Sequence, residues 1–188
     1  MSMKVFSKKK LVALFGLAGV GLLFGLMLAV VYVTQSPKAF KKFSAWKMGA
    51  EYLGTDGVVL QKKRNNCGPA ALKMVFDHYG ITSTLAEIEQ HVGLTTKGSS
   101  MLALKEMAEL RGLKAEGWRL TTEDFLKRPF PSLLFVHDDH YIVADSVDVN
   151  AIVFLRDPAL GRLRMKSEKL VKIWNGETLV LQMRSVIE

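Results

Sequence analysis

The chain contains a single cysteine among its 188 residues, Cys67. One cysteine excludes an internal disulfide, so cysteine usage does not indicate which side of a membrane the protein occupies. Prolines are also few, at five, and no repeat or low-complexity tract interrupts the chain. This length suits one folded domain with its own core plus a short additional segment, and the composition excludes disulfide-rich and repeat architectures.

Acidic residues are scarce in the first 64 positions, where only Glu51 and Asp56 oppose 11 lysines and arginines. In residues 65–188 the charges nearly cancel, with 15 basic side chains against 16 acidic ones. The formal net charge of +8 therefore belongs to the N-terminal part of the chain. Because nucleic-acid binding requires a basic surface on the folded domain, no nucleic-acid partner is expected.

Residues 11–33 form an uncharged apolar run of 23 residues, LVALFGLAGVGLLFGLMLAVVYV. At 1.5 Å per residue, a helix of this length exceeds the roughly 30 Å hydrocarbon layer of a bilayer. A cleaved signal peptide is the alternative, but its apolar region has only about 7–15 residues, and no small-residue cleavage site follows this run. The sequence therefore predicts one transmembrane helix, between a basic tail at residues 1–10 and a basic juxtamembrane tether at residues 34–56.

The lysines around this run leave its orientation open. Four precede it and four follow it, whereas the positive-inside rule depends on a difference between the two sides. These lysines can meet anionic headgroups, so membrane lipid is an expected partner. A short basic head is typical of a signal anchor, which favours a single pass through a bacterial inner membrane with the folded domain on the outer, periplasmic side.

Residues 57–188 change from a helical to an extended pattern about halfway along. Three helical segments come first, each preceded by a capping residue and two of them ended by glycine. Short runs rich in Val, Ile, Leu and aromatic residues follow, bounded by Pro, Gly, Asp and Asn. This order predicts an α+β domain with helices packed on one side of an antiparallel sheet. The predicted helices are residues 67–79 after Asn66, 85–92 after Thr84, and a third from Ser99 or Ser100 to 111, with short ones near 122–127 and 167–174; the predicted strands are 58–60, 113–120, 132–136, 141–147, 151–156 and 178–183.

Cys67 lies in the stretch QKKRNNCGPAALKMVFDHYG, residues 61–80, within the first turn of a predicted helix. The free N–H groups and the positive end of the helix dipole favour a thiolate there, and the thiolate is the nucleophilic form of cysteine. The alternative is a buried cysteine without chemistry, which is the commoner fate of an isolated cysteine. Partner residues are needed to decide between the two.

Four histidines are candidate bases for such a thiolate. His78 lies eleven residues along the same helix, about 16 Å from Cys67, which is too distant. His91 ends a polar helix and His137 lies in a turn. His140 opens the strand HYIVADSV, whose apolar run fixes the backbone and leaves the imidazole at the strand's edge, so His140 is the predicted base.

Asp157 ends the next strand in the stretch AIVFLRDPALG. If the two strands pair as a hairpin, the start of the first lies beside the end of the second, and Asp157 can orient the His140 imidazole. The alternative is a turn residue ahead of Pro158. Other candidates without this hairpin relation are Asp138, Asp139 and Asp145.

Gln61 lies six residues before Cys67 and carries a side-chain amide. During acyl transfer a negative charge develops on the carbonyl oxygen, so a hydrogen-bond donor must be in place for it. The Gln61 amide, together with the Cys67 backbone N–H, is the predicted donor pair.

These stretches resemble the C39 peptidases, papain-like cysteine proteases that process bacteriocin precursors. Together with KGSSMLALKEMAELRGLKAEG and the strand region from RPFPSLLFVHDDHY onward, they cover most of residues 58–180. The resemblance implies a papain-like α+β fold with Cys67 as nucleophile, His140 as general base and then acid, Asp157 as orienting group, and Gln61 in the oxyanion hole. It also implies cleavage of a glycine-rich leader from a precursor peptide or protein after a double-glycine type site, without a metal or cofactor.

Members of that family often form the N-terminal domain of an ABC exporter, so a secretion or export apparatus is a further expected partner. In this sequence an anchor precedes the domain and no transporter or ATPase segment follows it, which leaves the substrate open. Two alternatives remain: a non-catalytic C39-like docking module, and another thiol acyl-transfer enzyme such as an amidase or a transglutaminase-like protein. The presence of all four site residues favours the peptidase.

Overall fold

The computed structural model describes residues 8–184, with the backbone alone for residues 8–18. Most of the predicted basic tail at residues 1–10 therefore lies outside the described residues. The chain divides into two compact units, one ending at Phe43 and the other beginning at Ser44.

Helix α1 spans Lys8–Gln35 and helix α2 spans Pro37–Lys47. From Gly19 onward, the large apolar side chains of α1 are exposed. Within residues 19–184, no single helix is long and apolar enough to cross a bilayer, and α1 from Gly19 meets the requirement only together with α2, as a sharply bent pair. The predicted transmembrane span at residues 11–33 begins among residues whose side chains are not described.

The second unit is built on a seven-stranded sheet with the strand order β1-β6-β5-β4-β3-β7-β2. Every neighbouring pair of strands is antiparallel. This sheet and its packed helices confirm the predicted α+β fold class. The strands are β1 (Glu51–Gly54), β2 (Leu113–Arg119), β3 (Ser132–Val136), β4 (His140–Val147), β5 (Ile152–Asp157), β6 (Gly161–Lys166) and β7 (Trp174–Met183), and the helices are α3 (Cys67–His78), α4 (Leu85–His91), α5 (Met101–Leu110), α6 (Thr122–Leu126) and α7 (Ser167–Leu170).

Apolar side chains form two clusters, one on each face of the sheet, so the helices pack on both faces and not on one side only as predicted. In the first, α3, α4 and α5 contribute Phe76, Ile88 and Leu104, all fully buried. In the second, α6 and α7 contribute Phe125 and Leu170. Burying a large apolar side chain contributes roughly 1.5–3 kcal/mol. This packing fixes the start of α3 against the sheet.

Two helices begin at side-chain caps that the sequence contains. Thr84 accepts a hydrogen bond from the backbone N–H of Glu87, whose carboxylate bonds back to the Thr84 N–H, so the pair forms a capping box at α4. Ser100 accepts from the Ala103 N–H at 3.1 Å. Of the two serines that the sequence offers as a cap for α5, Ser100 is therefore the cap and Ser99 is not.

Strands β1 and β6 are not among the strands that the sequence predicts. In β6 the exposed Arg162, Arg164 and Lys166 alternate with buried residues, so no continuous apolar run marks this strand. β1 has only four residues and pairs with β6 at the edge of the sheet. The second unit thus includes residues 44–56, which the sequence predicts as part of a tether.

Other element boundaries also differ from the predictions. The predicted strand at residues 58–60 is irregular backbone, and the helix predicted to run to Trp174 ends at Leu170. β7 begins at Trp174, four residues before its predicted start. The pairing of Trp174 with Val136 of β3 outweighs the turn preference of Asn175 and Gly176, which follow it. Pairing across the sheet has overridden local propensity here.

Candidate active site

Cys67, His140 and Asp157 form a continuous hydrogen-bonded series where α3, β4 and β5 meet. His140 Nε2 lies 2.9 Å from Asp157 Oδ1. Because Nε2 is engaged there, Nδ1 is the ring nitrogen that faces Cys67, with which His140 also hydrogen-bonds. The thiol residue is 6% exposed, and the side chains of His140 and Asp157 are 18% and 6% exposed, so the series is largely shielded from water.

A bulge in β4 places His140 and Asp157 on the same face of the sheet. The register between β4 and β5 shifts by one residue at Asp145. Paired residues share a face and successive residues alternate, so without this shift Asp157 would lie on the face opposite His140. The pairs that define the shift are Val147 with Val153 and, beyond the bulge, Ala144 with Leu155.

Asp157 also holds the turn between β5 and β6. Its Oδ1 accepts hydrogen bonds from the N–H groups of Ala159 at 2.7 Å and Leu160 at 3.2 Å. The turn closes at Gly161, whose φ of +127° suits glycine, and where an added Cβ would lie 2.3 Å from the Gly54 carbonyl oxygen. Both sequence interpretations of Asp157, as a turn residue and as the partner of His140, therefore apply to the same carboxylate.

Of the other acidic candidates, Asp145 and Asp138 are engaged elsewhere, and Asp139 is exposed. Asp145 pairs with the Arg156 guanidinium, with a shortest distance of 2.6 Å. Asp138 accepts a hydrogen bond from the Asn175 amide at 3.0 Å. Among the histidines, His137 occupies the turn before β4 with a left-handed backbone, φ 54°.

The pKa of Cys67 is lowered from the ordinary value of a thiol. Burial by itself would raise it, because a thiolate is poorly solvated inside the protein. That effect is outweighed by the hydrogen bond from His140, the backbone N–H of Tyr141, the charge of His140 and the backbone N–H of Gly68. The site therefore favours the nucleophilic form of the only cysteine.

The pKa of His140 is raised to about 10. Burial would lower it, but hydrogen bonds to Asp157 and Cys67 and the negative charges of both groups favour the imidazolium. The lowered thiol pKa and the raised imidazole pKa have the same origin, since each charged partner stabilises the other. Both shifts favour the pair of a thiolate beside an imidazolium over the neutral pair.

Gln61 is tied to the turn that carries Asp157. Its backbone N–H donates to the Pro158 carbonyl at 2.8 Å. Its side-chain nitrogen donates to the Lys63 carbonyl at 3.1 Å and, at 3.5 Å, to that of Arg64. Within residues 19–184 its buried side-chain oxygen has no hydrogen-bond partner.

Asn66 lies at the N-cap position of α3, as the sequence predicts. Its side chain makes no capping bond. Instead, its oxygen accepts from the Lys63 N–H at 3.1 Å and its nitrogen donates to Glu89 at 2.7 Å. Glu89 also pairs with the Lys63 ammonium at 2.5 Å. These contacts fix the loop between Gln61 and Cys67, and no local signal singles out Glu89, because its partners lie more than twenty residues away.

A cleft of about 530 Å³ opens at the thiol. One wall comes from the loops that precede α3 and α5, with Arg64, Asn65 and Ser99; the other comes from the β3–β4 hairpin, with Phe135 and Asp139. A cleft of this size with a nucleophile in its lining can hold part of a peptide.

Comparisons with known proteins agree on one family. The Peptidase C39 family model matches residues 56–185. A protein of Methanothermobacter thermautotrophicus, described only as uncharacterized, is 34% identical over 130 residues, covering 69% of this chain and 91% of that protein. The lactococcin-G-processing and transport ATP-binding protein LagD of Lactococcus lactis is 27% identical over 128 residues, covering 65% of this chain; the match spans only 18% of LagD.

A solved structure resembles the second unit. It is the crystal structure of a double glycine motif protease from an AMS/PCAT transporter in complex with the leader peptide. The similarity has a TM-score of 0.65 and 26% sequence identity, and covers 68% of this chain and 91% of that one. The papain-like form of the α+β fold is thereby established for this chain.

Proposed function

Because the chain belongs to the Peptidase C39 family, we propose that it is a membrane-anchored cysteine endopeptidase that removes a leader from small precursor peptides or proteins after a double-glycine type site. The observation that carries this proposal is the hydrogen-bonded series from Cys67 through His140 to Asp157. The similar double glycine motif protease, which was crystallised with a leader peptide, supports the substrate class.

The reaction follows from this geometry. The Cys67 thiolate attacks the scissile carbonyl carbon, and the carbonyl π electrons move to the oxygen. As the tetrahedral intermediate collapses, the C–N bond breaks and the His140 imidazolium donates its Nδ1 proton to the leaving amine. Neutral His140 then takes a proton from water, whose oxygen attacks the thioester. Release of the leader carboxylate regenerates the thiolate and the imidazolium, and Asp157 keeps the imidazole in the required orientation throughout.

The oxyanion of the tetrahedral intermediate is assigned to two donors, the Cys67 backbone N–H and the Gln61 side-chain amide. The longer of the two bonds that the Gln61 nitrogen makes, at 3.5 Å to Arg64, is the weaker one. The N–H that makes this weaker bond can leave it at low cost and turn towards the developing charge. The bond from the Gln61 backbone to Pro158 supports this role, since it holds Gln61 beside the Asp157 turn.

Peptide cleavage is tested with the full-length chain in nanodiscs and synthetic precursors that carry a double glycine before the mature sequence. Mass spectrometry is expected to show one cut, directly after the second glycine, with two products whose masses add up to the precursor plus one water. A precursor with valine at the last leader position is the matched control and is expected to be cut at least about 100-fold more slowly. Deamidated or cross-linked products would support an amidase or transglutaminase-like enzyme, and binding without any product would support a docking module.

The anchor and its orientation belong to the same proposal. The exposed apolar surface of α1 and the uncharged run at residues 11–33 support a single pass through a bacterial inner membrane. The expected partners are therefore membrane lipid and a secretion or export apparatus as well as the precursor. With the catalytic domain on the periplasmic side, a reporter fused after Glu188 that works only outside the cytosol is expected to be active. Activity of a reporter that works only in the cytosol would reverse this orientation.

A further inference from the structure

Arg156 lies next to Asp157 in β5 and forms an ion pair with Asp145, the extra residue of the β4 bulge. Its Nη2 donates to Asp145 Oδ1 at 2.6 Å, and its Nε donates to Asp145 Oδ2 at 2.8 Å. Two parallel bonds between a guanidinium and a carboxylate fix both the distance and the orientation of the two groups. The Arg156 side chain is only 14% exposed, so water screens this pair less than it screens a surface pair.

The ion pair crosses the bulge. In the ladder between β4 and β5, Arg156 stands opposite Val143, which lies on the His140 side of the bulge. The guanidinium reaches back from there to Asp145. A bulge bends its strand and increases the local twist, and the extra residue has no partner in the ladder. The ladder alone therefore restricts the bend weakly, whereas the ion pair fixes it.

The bend at the bulge decides where His140 lies relative to Asp157. His140 opens β4 five residues before Asp145, and Asp157 ends β5 directly after Arg156. His140 Nε2 and Asp157 Oδ1 are 2.9 Å apart. Because a hydrogen bond weakens steeply when its geometry worsens, a small change of the bend weakens this contact. Arg156 can therefore act on the catalytic series through the backbone.

The same guanidinium reaches two other segments of the site. Its Nη1 donates to the Met74 carbonyl at 3.4 Å and to the Gly57 carbonyl at 3.3 Å. Met74 lies in α3, the helix that begins at Cys67, and Gly57 begins the segment that leads to Gln61. These bonds are longer and so weaker than those of the ion pair. They nevertheless place one side chain where the elements that carry the four site residues meet.

We propose that Arg156 is a positioning residue, which fixes the bend of β4 at Asp145 and thereby holds the His140 imidazole against Asp157. Asp145, a rival candidate for orienting the imidazole, then serves the site as the partner of Arg156. This role rests on the proposed function, because it concerns the same catalytic series, and it adds to that series a residue that acts through the backbone.

Two variants of the full-length chain in nanodiscs, Arg156→Met and Asp145→Asn, test this role. Each breaks the ion pair, but the first removes a positive charge and the second a negative charge. Both are expected to move the midpoint of Cys67 alkylation by iodoacetamide upward by about 0.5 to 1 pH units, because both loosen the contact between His140 and Asp157. A purely electrostatic effect would instead move the midpoint upward in the first variant and downward in the second.

Cleavage of the double-glycine precursor is the second measurement on these variants. In both, kcat/KM is expected to fall about 10- to 100-fold, as misplacement of a catalytic group by about 1 Å would cause. Near-UV circular dichroism below the unfolding transition verifies that each variant is folded. If Arg156→Met does not fold, Asp145→Asn, which keeps the shape of the side chain, still distinguishes an upward from a downward shift.

Arg164→Met is the matched control. Arg164 lies in the neighbouring strand β6 and makes two contacts of the same kind with Glu51, at 2.8 Å from Nε and 2.7 Å from Nη2. Both side chains of that pair are about half exposed, and it joins β6 to the edge strand β1, not to the bulge. Its loss is expected to leave the alkylation midpoint within about 0.3 pH units of the native value and kcat/KM within about twofold.

A double-mutant cycle shows whether Arg156 acts through Asp157. In Asp157→Asn the charge that Arg156 is proposed to position is already absent. Adding Arg156→Met is therefore expected to move the alkylation midpoint by less than about 0.2 pH units further and to lower kcat/KM by less than about threefold. Equal effects of Arg156→Met in both backgrounds, opposite shifts in the two single variants, or an unchanged midpoint would each overturn the role of Arg156 and leave the proposed function standing. Absence of cleavage by the native chain would overturn the proposed function, whereas the alkylation profiles would still test Arg156.

Discussion

Replacing Cys67 with alanine is expected to abolish precursor cleavage, with kcat/KM falling by at least about 10⁴-fold. The chain has no second cysteine, so no other thiol can form the thioester. The measurement is the rate of product formation by mass spectrometry, with native and variant chains at equal concentration in nanodiscs. A leader peptide should still bind to the variant, as measured by fluorescence anisotropy, because the walls of the cleft are unchanged.

Cys67→Ser is the matched control for this variant. It puts a hydroxyl of similar size in the place of the thiol. A hydroxyl is far less acidic than a thiol and does not become an anion beside His140 at neutral pH. The kcat/KM of the serine variant is therefore expected to be close to that of the alanine variant and far below that of the native chain. Cleavage by Cys67→Ala at more than a few per cent of the native rate would remove Cys67 from the chemistry and with it the proposed mechanism.

Asp157→Asn is expected to lower kcat/KM by about 10²- to 10⁴-fold. Asparagine keeps a side-chain oxygen for the N–H groups of Ala159 and Leu160, so the turn survives and the change isolates the negative charge. Without that charge, the pKa of His140 falls from about 10 towards its ordinary value of 6.5. The pKa of Cys67 then rises, because the imidazolium that stabilised its thiolate is less populated.

The pH profile of alkylation separates this effect from a loss of folding. Iodoacetamide reacts with the thiolate, so in the native chain the rate should reach half its maximum below pH 9.0, the ordinary value of the thiol. In Asp157→Asn that midpoint is expected to move upward. For cleavage, the loss of activity at high pH, which follows deprotonation of His140 near pH 10 in the native chain, is expected to move downward.

Asp139→Asn provides the control for charge alone. Asp139 is an exposed carboxylate one residue before His140, so the variant removes the same charge where water screens it. Its alkylation midpoint should stay within about 0.3 pH units of the native value. Equal behaviour of the two variants would mean that Asp157 acts only through its turn.

The relation between His140 and Asp157 shows how far sequence reasoning reaches. The hairpin between their strands is predictable from two short apolar runs and a polar connection, and the structure contains it. The face on which Asp157 lies is not predictable, because it depends on the bulge at Asp145. That bulge adds one residue to β4, and nothing in the local pattern of HYIVADSV marks it.

The helix starts give a similar contrast. The capping box from Thr84 to Glu87 is readable from the sequence, since both partners lie within one helical turn. Asn66 has the same residue type as a cap but bonds to Lys63 and Glu89, and only the packing of α4 beside the loop brings Glu89 near. The sequence does not predict the edge strand β1 for the same reason, since β1 becomes a strand only by pairing with β6, which lies far along the chain.

The sequence by itself determined the class of this protein: one thiol at the start of a helix, helices before strands, an uncharged run of 23 residues near the N-terminus, and a resemblance to the C39 peptidases that the family model confirms. These features depend on residue type and on neighbours within a few positions. Only the tertiary structure decided that Asp157 shares a face with His140 and that Asn66 holds the nucleophile loop. Each of these depends on strand register or loop packing between residues far apart in the chain, where local propensity carries no information.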